Sequence, residues 1–154
     1  MISVQTSDFN LAQEYEDLRD RAGDPGAVVT FTGLVREFYH AEAGAEPAVT
    51  SLFLEHYPGM TEKALQDIAA RAQQRWPLLA VRIIHRVGEL RPKDQIVFVG
   101  AASAHRGAAF AAAEFMMDYL KSEAPFWKKQ KSADQETWID SRASDSSALE
   151  RWKT

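Results

Sequence analysis

Residues 103–131 have the sequence SAHRGAAFAAAEFMMDYLKSEAPFWKKQK, and this stretch decides the fold. Serine accepts hydrogen bonds from the free amides at a helix start, so Ser103 predicts a helix over about 104–123. Apolar residues repeat along it at three- and four-residue spacing and predict a buried stripe. They are Phe110, Ala113, Met117 and Leu120. Pro125 cannot continue the helix, and the aromatic pair after it predicts a strand.

Cationic side chains lie at both ends of this predicted helix. His105 and Arg106 fall in its first turn, where the helix dipole already favours an anion, so a bound phosphate or carboxylate best explains them. Lys121 lies near the other end, beside the apolar stripe, and its spacing leaves two interpretations open. Either its amine is partly desolvated and acts as a base, a nucleophile or a positioned cation, or it offsets the helix dipole and extends to water.

The break after the helix predicts a chain reversal that brings Lys128 beside Lys121. Alternation along the following strand places Lys128 on one face, while Lys129 and Lys131 share the other face. Two ammonium groups in a poorly solvated pocket disfavour each other's charge, so at least one amine should lose its proton more easily. This pair is therefore the predicted reactive centre.

Composition and charge limit the class of protein. The chain has 154 residues, 45% of them hydrophobic and 26% charged, which predicts one globular domain over residues 1–154. Its formal net charge of -4 argues against general affinity for nucleic acid. Charge is uneven, because residues 121–131 carry four lysines and one glutamate (net +3), whereas residues 134–150 carry five acids and one arginine (net -4). A local basic site on an acidic protein suits a small anionic substrate.

Several chemistries have no support in the sequence. There are no cysteines, so disulfides, thiolate metal sites and cysteine nucleophiles are excluded, and any sulfur chemistry must use sulfur from another molecule. The four histidines are dispersed, and no nucleotide-binding glycine pattern is present, so we expect neither a metal nor a cofactor. No apolar run has the length of a membrane span, and the N-terminus lacks a signal-peptide pattern, which favours the cytoplasm.

The rest of the chain alternates short strands and helices, which predicts the α+β class. The predicted strands cover residues 2–5, 27–35, 49–56, 79–87, 88–90 and 96–102, then a strand from 126 and a return strand over 136–140. Further helices are predicted over 11–21, 61–76 and 146–152, and an aperiodic loop over 37–48.

Five separated motifs resemble those of one enzyme family, the large catalytic subunits of molybdopterin synthases. The motifs are FTGLVR (31–36), LEHYPGM (54–60), HRVGEL (85–90), SAHR (103–106) and DYLK followed by APFWK (118–128). They occur in the family's order over nearly the whole chain, so the resemblance is specific. The segment 37–48 departs from it, because this segment looks longer than in familiar members.

The resemblance implies a fold and an activity. The fold would be an α/β-hammerhead-like domain with an additional antiparallel β-sheet. The enzyme would transfer sulfur from the C-terminal thiocarboxylate of a small ubiquitin-like subunit to cyclic pyranopterin monophosphate, forming the dithiolene of molybdopterin in molybdenum cofactor biosynthesis. Two copies of this chain would form a homodimer at the centre of a heterotetramer, with one small subunit at each far end.

The resemblance also implies roles for individual residues. Lys121 and Lys128 match the lysines of the sulfur-transfer centre. Three residues of this chain match those of the family's anion site for the substrate, namely Arg36, His105 and Arg106. Arg142 resembles an arginine contributed across a dimer interface.

Two other classes of protein are also compatible with the residues. A non-catalytic module could dock a flexible Gly-Gly protein tail, which would need an apolar lining but no paired lysines. Another phosphate-ester enzyme could form a Schiff base with a lysine. For the sulfur transferase itself, Lys121 could act as an electrostatic partner or acid, or as a nucleophile on the acyl carbon.

Overall fold

The computed structural model describes residues 1–36, 49–132, 136–139 and 147–153. Within these ranges it has three α-helices, namely α1 (Leu11–Ala22), α2 (Met60–Arg75) and α3 (Arg106–Glu123). It has eight strands there: β1 (Ile2–Gln5), β2 (Ala27–Leu34), β3 (Val49–His56), β4 (Leu78–Arg86), β5 (Gly88–Leu90), β6 (Gln95–Ser103), β7 (Phe126–Ser132) and β8 (Glu136–Ile139). The predicted α+β class is confirmed. A 3-10 helix, Leu149–Trp152, occupies most of the predicted C-terminal helix, and the predicted loop 37–48 lies outside the described residues.

The first sheet has the strand order β1-β4-β6-β2 and is covered on both faces. Only β1 and β4 are parallel, and the other pairs are antiparallel. Successive side chains point to opposite faces of a strand, so Val81 and Ile83 pack under α2 and α3, while Ala80 packs against Leu18 of α1 on the other face. The two central strands therefore have nearly continuous apolar sequences, as strands buried on both faces do.

The central helix α3 buries a broader face than its apolar spacing predicts. Seven of its residues are buried: Ala109, Ala112, Ala113, Phe115, Met116, Tyr119 and Leu120. The prediction that Phe110 lies in the core is wrong, because its side chain is 62% exposed. At about 100° per residue, Phe110 lies roughly 120° around the helix axis from Met116. Alanine fits either face, so an alanine-rich helix does not reveal which side meets the sheet and α2.

The C-terminal 3-10 helix anchors to the outer side of α3. Arg151 pairs with Asp118 at 2.7 Å and with Glu114 at 2.8 Å, and the Trp152 indole N–H donates to Asp118 at 2.7 Å. The Trp152 ring also meets Phe115 edge-on, with ring centroids 5.4 Å apart. Glu114 and Asp118, which are four residues apart on α3, therefore hold this 3-10 helix against α3.

The second sheet has the order β5-β3-β7-β8 and is antiparallel throughout. Its inner face carries Leu52 and Leu54, which form a second small core with Val35, Val87 and Leu90. Phe53 lies on the opposite face and is 40% exposed, as the alternation predicts. The chain passes from α3 of the first core directly into β7 of the second sheet, so the end of α3 lies between the two.

None of the helices in the described ranges is long and apolar enough to span a membrane.

Candidate active site

The chain reversal between α3 and β7 follows from the residues that form it. Lys121 lies in the last turn of α3, and Ala124 ends the helix with extended backbone angles (φ -74°, ψ 129°). A residue before proline is driven out of the helical region by its contact with the proline ring, so Pro125 fixes this change of direction. Phe126 then begins β7, and its N–H donates to the Ala124 carbonyl at 3.0 Å.

Strand register places Lys128 on the inner face of the second sheet. Lys128 is directly opposite Leu54, which is 1% exposed, whereas Lys129 is opposite the outward-facing Phe53. Residues directly opposite each other in an antiparallel pair point to the same face. Lys128 is therefore a half-buried cation beside a buried leucine on the inner face, and Lys129 is its counterpart on the outer face.

Lys121 and Lys128 line the same pocket, as the sequence predicts. Its other lining residues are His85, Ile96, Val97, Leu120, Ala124 and Phe126. The cavity volume is about 60 Å³, which is room for about two water molecules or for the carboxylate or thiocarboxylate end of an extended chain. Lys121 as a whole is exposed, so the desolvation that its helical spacing suggests is not seen for this residue.

His85 is a third polar side chain of the pocket, and it is not among the site residues predicted from the sequence. It is 5% exposed, and Phe126 stacks on its ring with centroids 3.9 Å apart. Its Nδ1 lies 2.8 Å from the Arg86 carbonyl oxygen. Because a carbonyl oxygen can only accept, Nδ1 carries the proton and Nε2 is the acceptor of this ring.

The surroundings keep His85 neutral. Burial lowers the pKa of His85 from 6.5 to about 3, and the positive charges of Lys128, Lys121 and His56 act in the same direction. The hydrogen bond to the Arg86 carbonyl opposes this shift without reversing it. Alternation along β4 could have revealed this residue, since positions 81, 83 and 85 share one strand face and two of them are core aliphatics.

His105 and Arg106 lie at the start of α3, and both are exposed. His105 is the N-cap residue with an extended backbone (φ -132°, ψ 152°), and its side chain makes no capping hydrogen bond. Close backbone packing holds this end in place, because Gly26 N–H donates to the Ser103 carbonyl at 3.0 Å. A side chain at Gly26 would collide with the Ala104 carbonyl oxygen.

Arg36 does not join these two residues within one chain. Ala27, at the start of β2, pairs with Ser103, whereas Leu34, at its end, pairs with Gln95. Eight strand residues span roughly 25 Å, so Arg36 and the start of α3 lie at opposite ends of the first sheet. Arg36 is at the end where Ile96 and Val97 line the lysine pocket. Within a single chain, the residues of the predicted anion site therefore lie in two places, with Arg36 far from His105 and Arg106. The other predicted site residue, Arg142, lies outside the described residues.

The described side chains include no cluster of three or more His, Cys, Asp and Glu that could hold a metal ion. The chemistry available at the pocket is that of two amines and one neutral imidazole. Paired ammonium groups bind an anionic tail through charge-assisted hydrogen bonds and stabilise negative charge that develops on an oxygen or sulfur.

Comparison with known proteins identifies relatives of this chain. The family profile described as MoaE protein matches residues 4–123. The molybdopterin synthase catalytic subunit of Vibrio cholerae is 55% identical over 152 residues, 99% of this chain and 97% of the relative.

Two solved structures are also similar. The MoaE protein of Burkholderia ambifaria has a TM-score of 0.84 at 51% identity, covering 100% of this chain and 98% of its own. The molybdopterin synthase structure from Staphylococcus aureus has a TM-score of 0.78 at 31% identity, covering 89% and 95%. The fold and the site define a small cationic pocket between two sheets. The chain belongs to the MoaE protein family, which confirms the resemblance seen in its motifs.

Proposed function

We propose that this chain is the catalytic subunit of a molybdopterin synthase. It transfers sulfur from the C-terminal thiocarboxylate of a small sulfur-carrier subunit to cyclic pyranopterin monophosphate. The observation that carries the proposal is the convergence of Lys121 and Lys128 on one small pocket. Relatives that match over nearly their whole length carry the name of this catalytic subunit, which supports the same assignment.

The pocket's size and charge suit the end of the partner's tail. An extended Gly-Gly tail has no side chains and is therefore narrow, and the cavity of about 60 Å³ has room for its terminal group. The thiocarboxylate carries one negative charge, which the two lysines offset. The chain has no cysteine, in keeping with sulfur that arrives on another molecule.

The reaction can be written so that each sulfur is accounted for. The thiocarboxylate sulfur forms a bond to a pterin carbon, and a pterin oxygen leaves with a proton. Water then cleaves the acyl–sulfur bond, which releases the small subunit as a carboxylate and leaves sulfur on the pterin. Each small subunit brings one sulfur, so a dithiolene consumes two of them.

Lys121 and Lys128 have two possible roles in this sequence. As ammonium groups they stabilise the leaving oxygen and donate its proton. Alternatively, once the sulfur is bonded to the pterin, Lys121 attacks the acyl carbon as a neutral amine. The acyl–sulfur bond breaks, the sulfur stays on the pterin as a thiolate, and water hydrolyses the resulting amide to release the small subunit as its carboxylate. The exposure of Lys121 supports the first role, because water can reach its side chain and exchange protons with it.

The assembly proposed is a homodimer of this chain with one small subunit bound at each far end. Arg142 would then reach the pocket of the other chain. The separation of His105 and Arg106 from Arg36 adds a reason for a second copy, since α3 is about 27 Å long and its start cannot reach the lysine pocket at its own end. We propose that the anion site for the pterin phosphate combines Arg36 of one chain with the α3 start of its partner.

The finer description of the fold and the compartment is also proposed. Two sheets joined through α3 suit an α/β-hammerhead-like unit with an added antiparallel sheet, together forming one domain over residues 1–154. Cofactor synthesis from a phosphorylated precursor suits the cytoplasm.

The test is a reconstituted reaction. The chain is incubated with thiocarboxylated small subunit and cyclic pyranopterin monophosphate, and the pterin is analysed by mass spectrometry. We expect a product that has gained two sulfurs, with the small subunit returned as its carboxylate. Tight binding of the small subunit with an unchanged pterin would identify a docking module instead. Borohydride trapping of a carbonyl substrate on a lysine would identify a Schiff-base enzyme.

A further inference from the structure

Thr61 has a buried hydroxyl group that joins two segments distant in the chain. The residue lies in the first turn of α2 and is 0% exposed. Its hydroxyl accepts a hydrogen bond from the Tyr57 N–H at 3.1 Å and donates one to the Pro125 carbonyl at 3.0 Å. A buried hydroxyl without such partners would cost stability, so these two bonds fix where the hydroxyl lies.

The two segments that Thr61 joins are the neighbouring ends of β3 and β7. The last pair in their antiparallel ladder is His56 with Phe126. Tyr57 and Pro125 are the next residues along the two strands, and Pro125 can offer only its carbonyl, because proline has no N–H. The Thr61 hydroxyl connects this carbonyl with the Tyr57 N–H. The ladder is therefore extended by a side-chain hydroxyl at the point where β7 begins.

Pro125 is also the point where the chain turns between the two lysines of the pocket. Lys121 precedes it on α3, and Lys128 follows it on β7. Both neighbours of Pro125 in the sequence line the pocket themselves. The direction in which β7 leaves this turn therefore determines where Lys128 lies relative to Lys121. A contact that holds the Pro125 carbonyl acts on that direction through the backbone.

We propose that Thr61 is a positioning residue for sulfur transfer, whose hydroxyl fixes the turn at Pro125 and so keeps the two lysines in one pocket. A hydroxyl suits this task because it accepts from one segment and donates to the other, which an aliphatic side chain cannot do. Tyr57 also meets Trp127 edge-on, with ring centroids 4.1 Å apart, and this contact does not need the hydroxyl. Loss of the hydroxyl should therefore loosen the turn without unfolding the second sheet. The role in sulfur transfer rests on the proposed function, but the link between the two strands does not.

The link between the strands can be tested in the isolated chain by amide hydrogen exchange, followed by NMR. The Tyr57 N–H should be protected in the unaltered chain and in Thr61→Ser, which keeps a hydroxyl. It should exchange at least about tenfold faster in Thr61→Val, where it loses its acceptor. The Trp76 N–H, which donates to the Ala72 carbonyl at the other end of α2, is the control and should keep its rate. An unchanged Tyr57 rate in Thr61→Val, or an equal acceleration at Trp76, would overturn the proposal.

Single-turnover sulfur transfer separates positioning from a purely structural role. We expect Thr61→Val to lower the rate constant about tenfold while the half-saturating concentration of the precursor stays unchanged, because Arg106 lies at the far end of α3 from this turn. Thr61→Ser should stay within about threefold of the unaltered chain. Val81→Ala controls for lost stability and should keep the rate, since Val81 is buried about 13 Å along β4 from His85. Equal losses in Thr61→Val and Thr61→Ser, or an equal loss in Val81→Ala, would contradict positioning through the hydroxyl.

Failure of this inference can be told apart from failure of the proposed function. If Thr61→Val does not fold, Thr61→Ser and Thr61→Ala make the same comparison, because they differ only by the hydroxyl oxygen. If the unaltered chain forms no molybdopterin while Tyr57 exchange still follows the hydroxyl, the proposed function and the role in sulfur transfer fail, and the link between the strands stands. If the chain forms molybdopterin and loss of the hydroxyl leaves the rate unchanged, the proposed function stands and the positioning role of Thr61 fails.

Discussion

Acidification should destabilise this protein through His85, because the folded state holds the ring neutral. Its pKa falls from 6.5 to about 3 on folding, chiefly through burial. Below pH 6.5 the unfolded chain takes up a proton at this ring that the folded chain does not. The unfolded state therefore binds more protons, and the free energy of unfolding falls as pH drops, until the folded ring also titrates near pH 3.

The size of this effect follows from the two pKa values. At 1.36 kcal/mol per pH unit, His85 lowers the free energy of unfolding by about 2 kcal/mol between pH 7 and pH 5. His85→Phe keeps an aromatic ring against Phe126 but cannot titrate. The stability difference between the original protein and this variant should therefore shrink by about 2 kcal/mol over the same interval.

Urea unfolding at both pH values measures this difference. Protein concentration must be the same throughout, because dimerisation would add a concentration-dependent term. Carboxylates such as Asp8, whose pKa is lowered by hydrogen bonds from Gln95 and the Phe9 N–H, also contribute to acid sensitivity, but they do so equally in both proteins. A stability difference that stays constant between the two pH values would refute the claim that the folded ring is neutral.

Three further substitutions test other parts of the structure. Arg106→Ala should weaken binding of cyclic pyranopterin monophosphate about tenfold without unfolding the protein, as measured by calorimetry, and unchanged affinity would remove Arg106 from the anion site. Gly26→Ala should lower the free energy of unfolding, measured with urea, by about 2 kcal/mol, because the new methyl group collides with the Ala104 carbonyl. An unchanged free energy of unfolding would mean that the backbone at this contact moves apart easily. Phe115→Ala should lower the free energy of unfolding by about 3–5 kcal/mol, because Phe115 is only 1% exposed in the main core. A decrease below about 1 kcal/mol would contradict its packing there.

The end of α3, the start of β7 and the approach of Lys128 to Lys121 could all be predicted from the sequence. Helix periodicity and the proline break at Pro125 are local signals, and together they fix the end of α3 and the start of β7. The alternation of strand side chains then distinguishes Lys128 from Lys129. These steps need only neighbouring residues, so the approach of Lys128 to Lys121 follows from a short segment.

The features that were missed depend on contacts between distant segments. Phe110 is exposed because the sheet and α2 together choose the buried side of α3, and alanine spacing carries no such information. Arg36 is separated from Arg106 by the register of β2 on β6, which no local pattern reveals. His85 is recognisable as a pocket residue only once β4 and β7 are placed together.

If Lys121 and Lys128 act together in sulfur transfer, loss of either amine should abolish the reaction. Single-turnover formation of molybdopterin is followed with thiocarboxylated small subunit in excess, for Lys121→Ala, Lys128→Ala and the outer-face control Lys129→Ala. We expect the first two variants to lose at least about a hundredfold in rate while still folding and binding the small subunit, and the control to stay within about threefold. Near-normal rates in Lys121→Ala or Lys128→Ala would show that the pocket binds its partner's tail without catalysing the transfer.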